Sequence, residues 1–189
     1  MRRALFLATA ILFAFLLTAP ARSQTAQTGA QTPQVLKATY DQAMLAKDWP
    51  VAVAAAQKLV DVKATSANLL LLANAQLYAT TGQSEPGAME ASLATYERAL
   101  AAAQQEKPAR AQPDQAWKDG VAKIYVGKGN VLLKLKRTAE AVESYNRAAE
   151  LSSTPGKAYF NVCAVTYNAG DESGAVTACR NRNAPPHYA

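Results

Sequence analysis

The chain has 189 residues and is poor in the side chains that most chemistry requires. Its one histidine, His187, lies among the last five residues, where chains are seldom ordered. Two cysteines and that distant histidine are too few for a metal site. No HExxH, GxSxG or phosphate-loop motif occurs. Gly127-Lys128-Gly129 is glycine-rich but follows no strand and falls in a helical stretch. The sequence therefore predicts no enzyme, no cofactor and no metal. Aromatic residues are only 7%, and alanine outnumbers the β-branched residues that sheets favour, which excludes a sheet protein. Charged residues are 18%. The net charge of +6 is spread out, and Arg2 and Arg3 hold part of it at the extreme N-terminus. Without a dense basic stripe no nucleic-acid partner is expected. An acidic partner or an anionic envelope surface suits a mild positive balance.

A membrane-spanning run is lacking too. Ala4 to Leu17 is uncharged and mostly apolar, but it falls short of the roughly 18–20 residues that cross a bilayer. It follows Met1-Arg2-Arg3 and precedes the small-residue sites Ala19-Pro20-Ala21 and Ala21-Arg22-Ser23. That order of charged, apolar and small predicts a signal peptide over residues 1–23 and a periplasmic or secreted protein with no span after cleavage. No cysteine stands near the cleavage region, so a lipid anchor is not expected.

What the chain does have is alanine, the best helix former, which also lets helices pack closely. Residues 24–34 (QTAQTGAQTPQ) are polar and aperiodic and read as a disordered linker. From Val35 onward, helices alternate with punctuating residues. Helices are expected over roughly 33–46, 49–63, 66–81, 87–105, 113–136, 138–152, 156–169 and 172–183, forming one domain over 35–184 with a flexible tail at 185–189. Pro50, Pro86, Pro108, Pro113 and Pro155 fall where helices begin or end, as their missing N–H dictates. Asp48, Thr138 and Asp171 are expected N-caps, and Gly170 suits a left-handed stop.

The segment Ala141 to Ala148 echoes 34 residues later in Ala175 to Arg182. Tyr125, Gly129, Ala141, Tyr145, Ala148 and Pro155 carry the pattern in one unit, and Tyr159, Cys163, Tyr167, Gly170 and Ala175 in the next. At these residues the chain resembles the tetratricopeptide repeat family. Ala52 and Ala56 carry a weaker first unit. Leu69, Ala73, Tyr96 and Ala99 carry a second, lengthened around Gly82 to Met89. The resemblance implies an all-α solenoid of about four helix pairs, a right-handed superhelix with a concave groove lined by the first helix of each pair. Gly129, Ala141 and Ala148 are expected to let paired helices approach, with Tyr125 and Tyr145 filling space toward the next pair.

Such stacks build binding surfaces, so the expected function is a non-catalytic protein-interaction or scaffold module of the bacterial envelope. The alternative is an envelope protein that binds a small ligand or glycan. The expected groove of the last two units carries Lys123, Val126, Asn130, Lys134, Lys157, Phe160, Asn161 and Asn168. Lysines and asparagines can hold an acidic or extended peptide segment. Asn130 and Asn161 match two asparagines of the carboxylate clamp known in the family, but Val126 stands where its lysine should be, so that clamp is not expected. Cys163 lies at the close-packing place of one helix and Cys179 on its partner helix. In an oxidising compartment a disulfide is expected, worth about 3 kcal/mol for a loop of about 15 residues. Two free buried thiols are the alternative.

Overall fold

The computed structural model describes residues 31–80, 87–109 and 114–182. The expected signal peptide, most of the linker, the tail and His187 lie outside them. Among the described residues there are eight helices and no strand: α1 (Pro33–Ala46), α2 (Trp49–Val62), α3 (Ser66–Ala79), α4 (Ala88–Gln105), α5 (Gln115–Lys134), α6 (Thr138–Leu151), α7 (Gly156–Asn168) and α8 (Glu172–Asn181). Each bound falls within about two residues of its expected place. Pro33 and Gln34, read as the end of the linker, are the first turn of α1, entered through the Thr32 cap. Each helix packs chiefly on its neighbours in the chain, and α3 also touches α5. The fold is therefore a helical repeat solenoid of four pairs.

Three of the pairs share one turn, and its hydrogen bonds explain the shared geometry. Lys47 N–H donates to Met44 C=O and Asp48 N–H to Ala43 C=O. Lys136 and Arg137 repeat this toward Leu133 and Leu132, and Gly170 and Asp171 toward Tyr167 and Thr166. This closure satisfies carbonyls that the ending helix leaves orphaned, and it requires a left-handed residue. Gly170 meets that requirement freely at φ 82°, while Lys47 and Lys136 are held at φ 57° and 59°. Asp48 and Asp171 cap the following helices through Val51 and Gly174 N–H. Thr138 does not cap α6. Arg137 takes the cap position without a side-chain bond, because the turn places Thr138 already inside the helix.

The pairs interlock by ring against glycine. A Cβ added at Gly129 would stand 2.6–2.9 Å from the Tyr145 ring, so Gly129 exists to seat that ring. Tyr145 thus fills the space within its own pair, not the space toward the next one as the repeat pattern suggested. Gly127, two residues earlier, points toward the preceding unit, where a Cβ would overlap the ring of Tyr96 on α4. Lys128 reaches Glu97 across the same α4–α5 boundary at 3.2 Å. Both rings are fully buried. In the second pair Ala73 takes the place of Gly129, and its carbonyl accepts from the Ser92 hydroxyl at 2.9 Å. In the last pair the two corresponding places hold Cys163 and Cys179, at disulfide distance with Cα atoms 5.2 Å apart.

Candidate functional site

The first helices of the pairs, α1, α3, α5 and α7, line a groove of about 660 Å³. From α1 comes Met44. Leu70, Asn74 and Tyr78 follow on one face of α3, spaced four apart as helical periodicity requires. Asp119, Lys123, Val126 and Asn130 come from α5, Lys157 from α7, and Ser152, Ser153 and Thr154 from the loop between α6 and α7.

Of the residues expected from sequence, the groove brings together Lys123, Val126, Asn130 and Lys157. Lys134, Asn161 and Asn168 are not among its walls. Lys134 and Asn168 are exposed and Asn161 half-buried. They share the helical faces of Lys123, Asn130 and Lys157 but lie further along α5 and α7, Lys134 four residues beyond Asn130, and Asn161 and Asn168 four and eleven residues beyond Lys157. Phe160 is half exposed and lies outside the groove, where the Arg182 guanidinium stands 5.9 Å from its ring centre.

Two asparagines are held from behind. The Tyr145 hydroxyl donates to Asn130 Oδ1 at 2.8 Å, and the Tyr96 hydroxyl to Asn74 Oδ1 at 2.6 Å. With each carbonyl oxygen engaged, each amide presents its N–H donors elsewhere. Desolvation by burial pushes the Tyr145 phenol up to about 12 and raises that of Tyr96 further. Both hydroxyls therefore keep their proton at physiological pH and remain donors.

Among the described residues that line the groove, the one carboxylate is also occupied. Asp119 accepts from Ser153 N–H at 2.7 Å, from the Ser153 hydroxyl at 2.9 Å and from Gln115 Nε2 at 3.1 Å. The Ser153 backbone bond above all lowers its pKa, against a smaller opposing effect of burial. The Ser153 hydroxyl, Gln115 and Lys123 act in the same direction as the backbone bond. Asp119 thus ties the start of α5 to the α6–α7 loop and offsets part of the Lys123 charge. At the other end Tyr78, 45% exposed, stacks on Trp49 with ring centres 5.6 Å apart.

Sequence reasoning missed Asn74, Tyr78, Asp119 and the Ser152–Thr154 loop. Asn74 was in principle findable. It follows Ala73 as Asn130 follows Gly129, but the added residues before α4 blur the register of that unit. No group of three or more metal-ligating side chains occurs among the described residues, and no described helix is long and apolar enough to cross a membrane.

The tetratricopeptide repeat family matches residues 122–155, the span from the middle of α5 to the residue before α7. Among solved structures, a crystal structure of MamA protein is similar over 79% of this chain and 70% of that chain, with a TM-score of 0.57 and 14% identity. A second structure, MamA MSR-1 C2, covers 80% of this chain and 94% of its own at 18% identity, but its TM-score is only 0.32. At these identities the likeness is one of fold. No curated protein matches the chain.

Proposed function

The chain is a tetratricopeptide-repeat protein by its matched unit and its stacked helix pairs, and from that premise we propose that it is a non-catalytic interaction module that holds a segment of a partner protein. The observation that carries this reading is the groove itself. It is concave, about 660 Å³ in volume, and walled by side chains from all four first helices. A surface so composed can grip an extended chain along its length. The test is photo-crosslinking from Val126 in cells producing the protein at native level. A discrete protein adduct that disappears on Lys157→Glu is expected. Adducts unaffected by that change would refute groove binding.

The working place proposed is the bacterial periplasm or another exported compartment. The support is the charged, apolar and small order of residues 1–23 and a cysteine pair at disulfide distance. On this reading Cys163 and Cys179 form a disulfide. Intact mass after alkylation without reductant tests it, and two alkylated thiols in the native exported protein would refute it. Fractionation of cells tests the compartment, which is excluded if the unprocessed chain remains in the cytoplasm.

A second reading has one specific observation in its favour. Tyr78, stacked on Trp49 at the groove rim, makes a partly exposed aromatic platform, and such rings suit a sugar face. A rise in melting temperature with a glycan or small metabolite, lost on Tyr78→Ala, would favour it over a protein partner.

A further inference from the structure

A second hollow, of about 480 Å³, opens on the last helix pair and shares no wall residue with the groove. Its walls include Tyr167 of α7, Glu172, Val176 and Arg180 of α8, and the cysteine pair between them. The apolar walls belong to a face that the stack covers elsewhere. In the second pair, Leu77 follows Ala73 by four positions as Tyr167 follows Cys163, and Leu93 precedes Tyr96 by three as Val176 precedes Cys179. Leu77 and Leu93 are buried, and α5 packs on both of their helices. The third pair is intermediate, with Leu133 40% exposed and Val142 half-buried. In the last pair Tyr167 is 67% and Val176 50% exposed, and no helix follows α8 among the described residues.

Charge is arranged on α8 about this apolar centre. Glu172, Val176 and Arg180 recur every four residues and so share one face. Glu172 and Arg180 are exposed and take no part in the ion pairs among the described residues. Eight residues of helix hold them about 12 Å apart, too far to pair with each other. We propose that this face joins two copies of the chain about a twofold axis near Val176. An antiparallel α8 laid across Val176 brings Glu172 of each copy against the partner's Arg180, so the face is complementary to itself. Val176 then meets its own counterpart, with Tyr167 beside it. Continuation of the stack into a filament is disfavoured. Ala148 and Ala149 of α6 pack with Ala158 of α7, whereas Arg182 stands 34 residues after Ala148. A helix docked on α8 as α7 docks on α6 would have to bury that guanidinium. Two helices of 13 and 10 residues offer less than the roughly 800 Å² per partner of a standard interface, so dissociation is expected on the order of 10 μM. The pairing does not depend on what the groove binds.

Sedimentation velocity on the mature chain, at concentrations bracketing that value, tests the proposal. A monomer–dimer equilibrium is expected. Glu172→Arg and Arg180→Glu should each weaken it by about tenfold or more, because like charges then face each other. An equimolar mixture of the two variants should regain the dimer as a heterodimer, since each supplies the sign that the other lacks. That rescue also shows that both variants fold. Val176→Gln, at an exposed site, keeps the test decisive if a charge variant misfolds. It should weaken the dimer by roughly fivefold through lost apolar contact and leave the melting temperature of the monomer unchanged. A chain that stays monomeric, an assembly that grows beyond the dimer, or a dimer indifferent to Val176→Gln would overturn the proposal. Folded charge variants that fail to restore the dimer in their mixture would overturn it too. Dimerisation that appears only when the chain is ended at residue 182 would assign the face to residues 183–189 instead of a second copy.

Discussion

Adding one methyl group to α5 has opposite consequences at Gly120 and Gly127. At Gly120 nothing lies within 4 Å of a new Cβ, so Gly120→Ala gains the helix preference of alanine, about 0.5–1 kcal/mol. At Gly127 the new Cβ collides with the Tyr96 ring. Overpacking costs about 1–3 kcal/mol, which exceeds that gain, and Gly127→Ala is expected to lower the melting temperature. Equal shifts from the two substitutions in a thermal melt would contradict this packing. The sequence showed both glycines but could not separate them, because the partner of Gly127 lies on another unit, 31 positions earlier. The turn lysines are a related case. Lys136 is held at φ 59°, a conformation that costs a side-chain-bearing residue about 1–2 kcal/mol. Lys136→Gly relieves it but loosens the unfolded chain, so a net gain of about 0.5–1 kcal/mol is expected. Chemical denaturation reads that gain directly, and a destabilised variant would mean the lysine side chain holds something beyond the turn.

At the scale of elements, periodicity and punctuation located all eight helices, since both are local properties of the chain. The contacts between elements were less legible. The repeat pattern placed Tyr145 toward the next pair, whereas Gly129 seats it within its own. The cysteine pair shows what an element loses when that seat is absent. Helix α8 has only ten residues and buries only Ala175 and Ala178, too little apolar area to hold a helix firmly. Where α6 has a buried tyrosine, α8 has Cys179 opposite Cys163. If the proposed disulfide carries that load, replacing both cysteines by alanine should speed amide exchange in α8 at least tenfold. Exchange in α5 and α6 should stay nearly unchanged, because each pair interacts mainly with its neighbour. Protection of α8 that survives the double substitution would assign its stability to the two alanines instead.

Across the whole molecule the buried tyrosines form a series, and alkaline pH addresses them together. Tyr40, Tyr96 and Tyr145 lie in the first, second and third pairs, each with a raised pKa for which desolvation is the leading cause. Asp41 and Tyr78 add to the shift at Tyr40. An unfolded tyrosine ionises near pH 10, whereas folded Tyr40 and Tyr145 ionise at about 12. Below pH 10 both states keep the proton and the tyrosines contribute no pH dependence. Between pH 10 and 12 the unfolded chain loses protons that the fold retains. Stability therefore falls as pH rises, by up to about 1.4 kcal/mol per pH unit for each tyrosine. The last pair has Cys179 in the corresponding place, so the loss should begin in the first three pairs and not at the C-terminal end. Tyr145→Phe separates this from general alkaline damage, since it removes one titrating phenol while keeping the ring on Gly129. At pH 8 the variant loses the bond to Asn130 and should be about 1 kcal/mol less stable. Between pH 10 and 11.5 its urea midpoint should decline less steeply than that of the parent. Parallel declines would show that the Tyr145 phenol is not protected by burial, and with it would go the argument that Asn130 is pinned from behind.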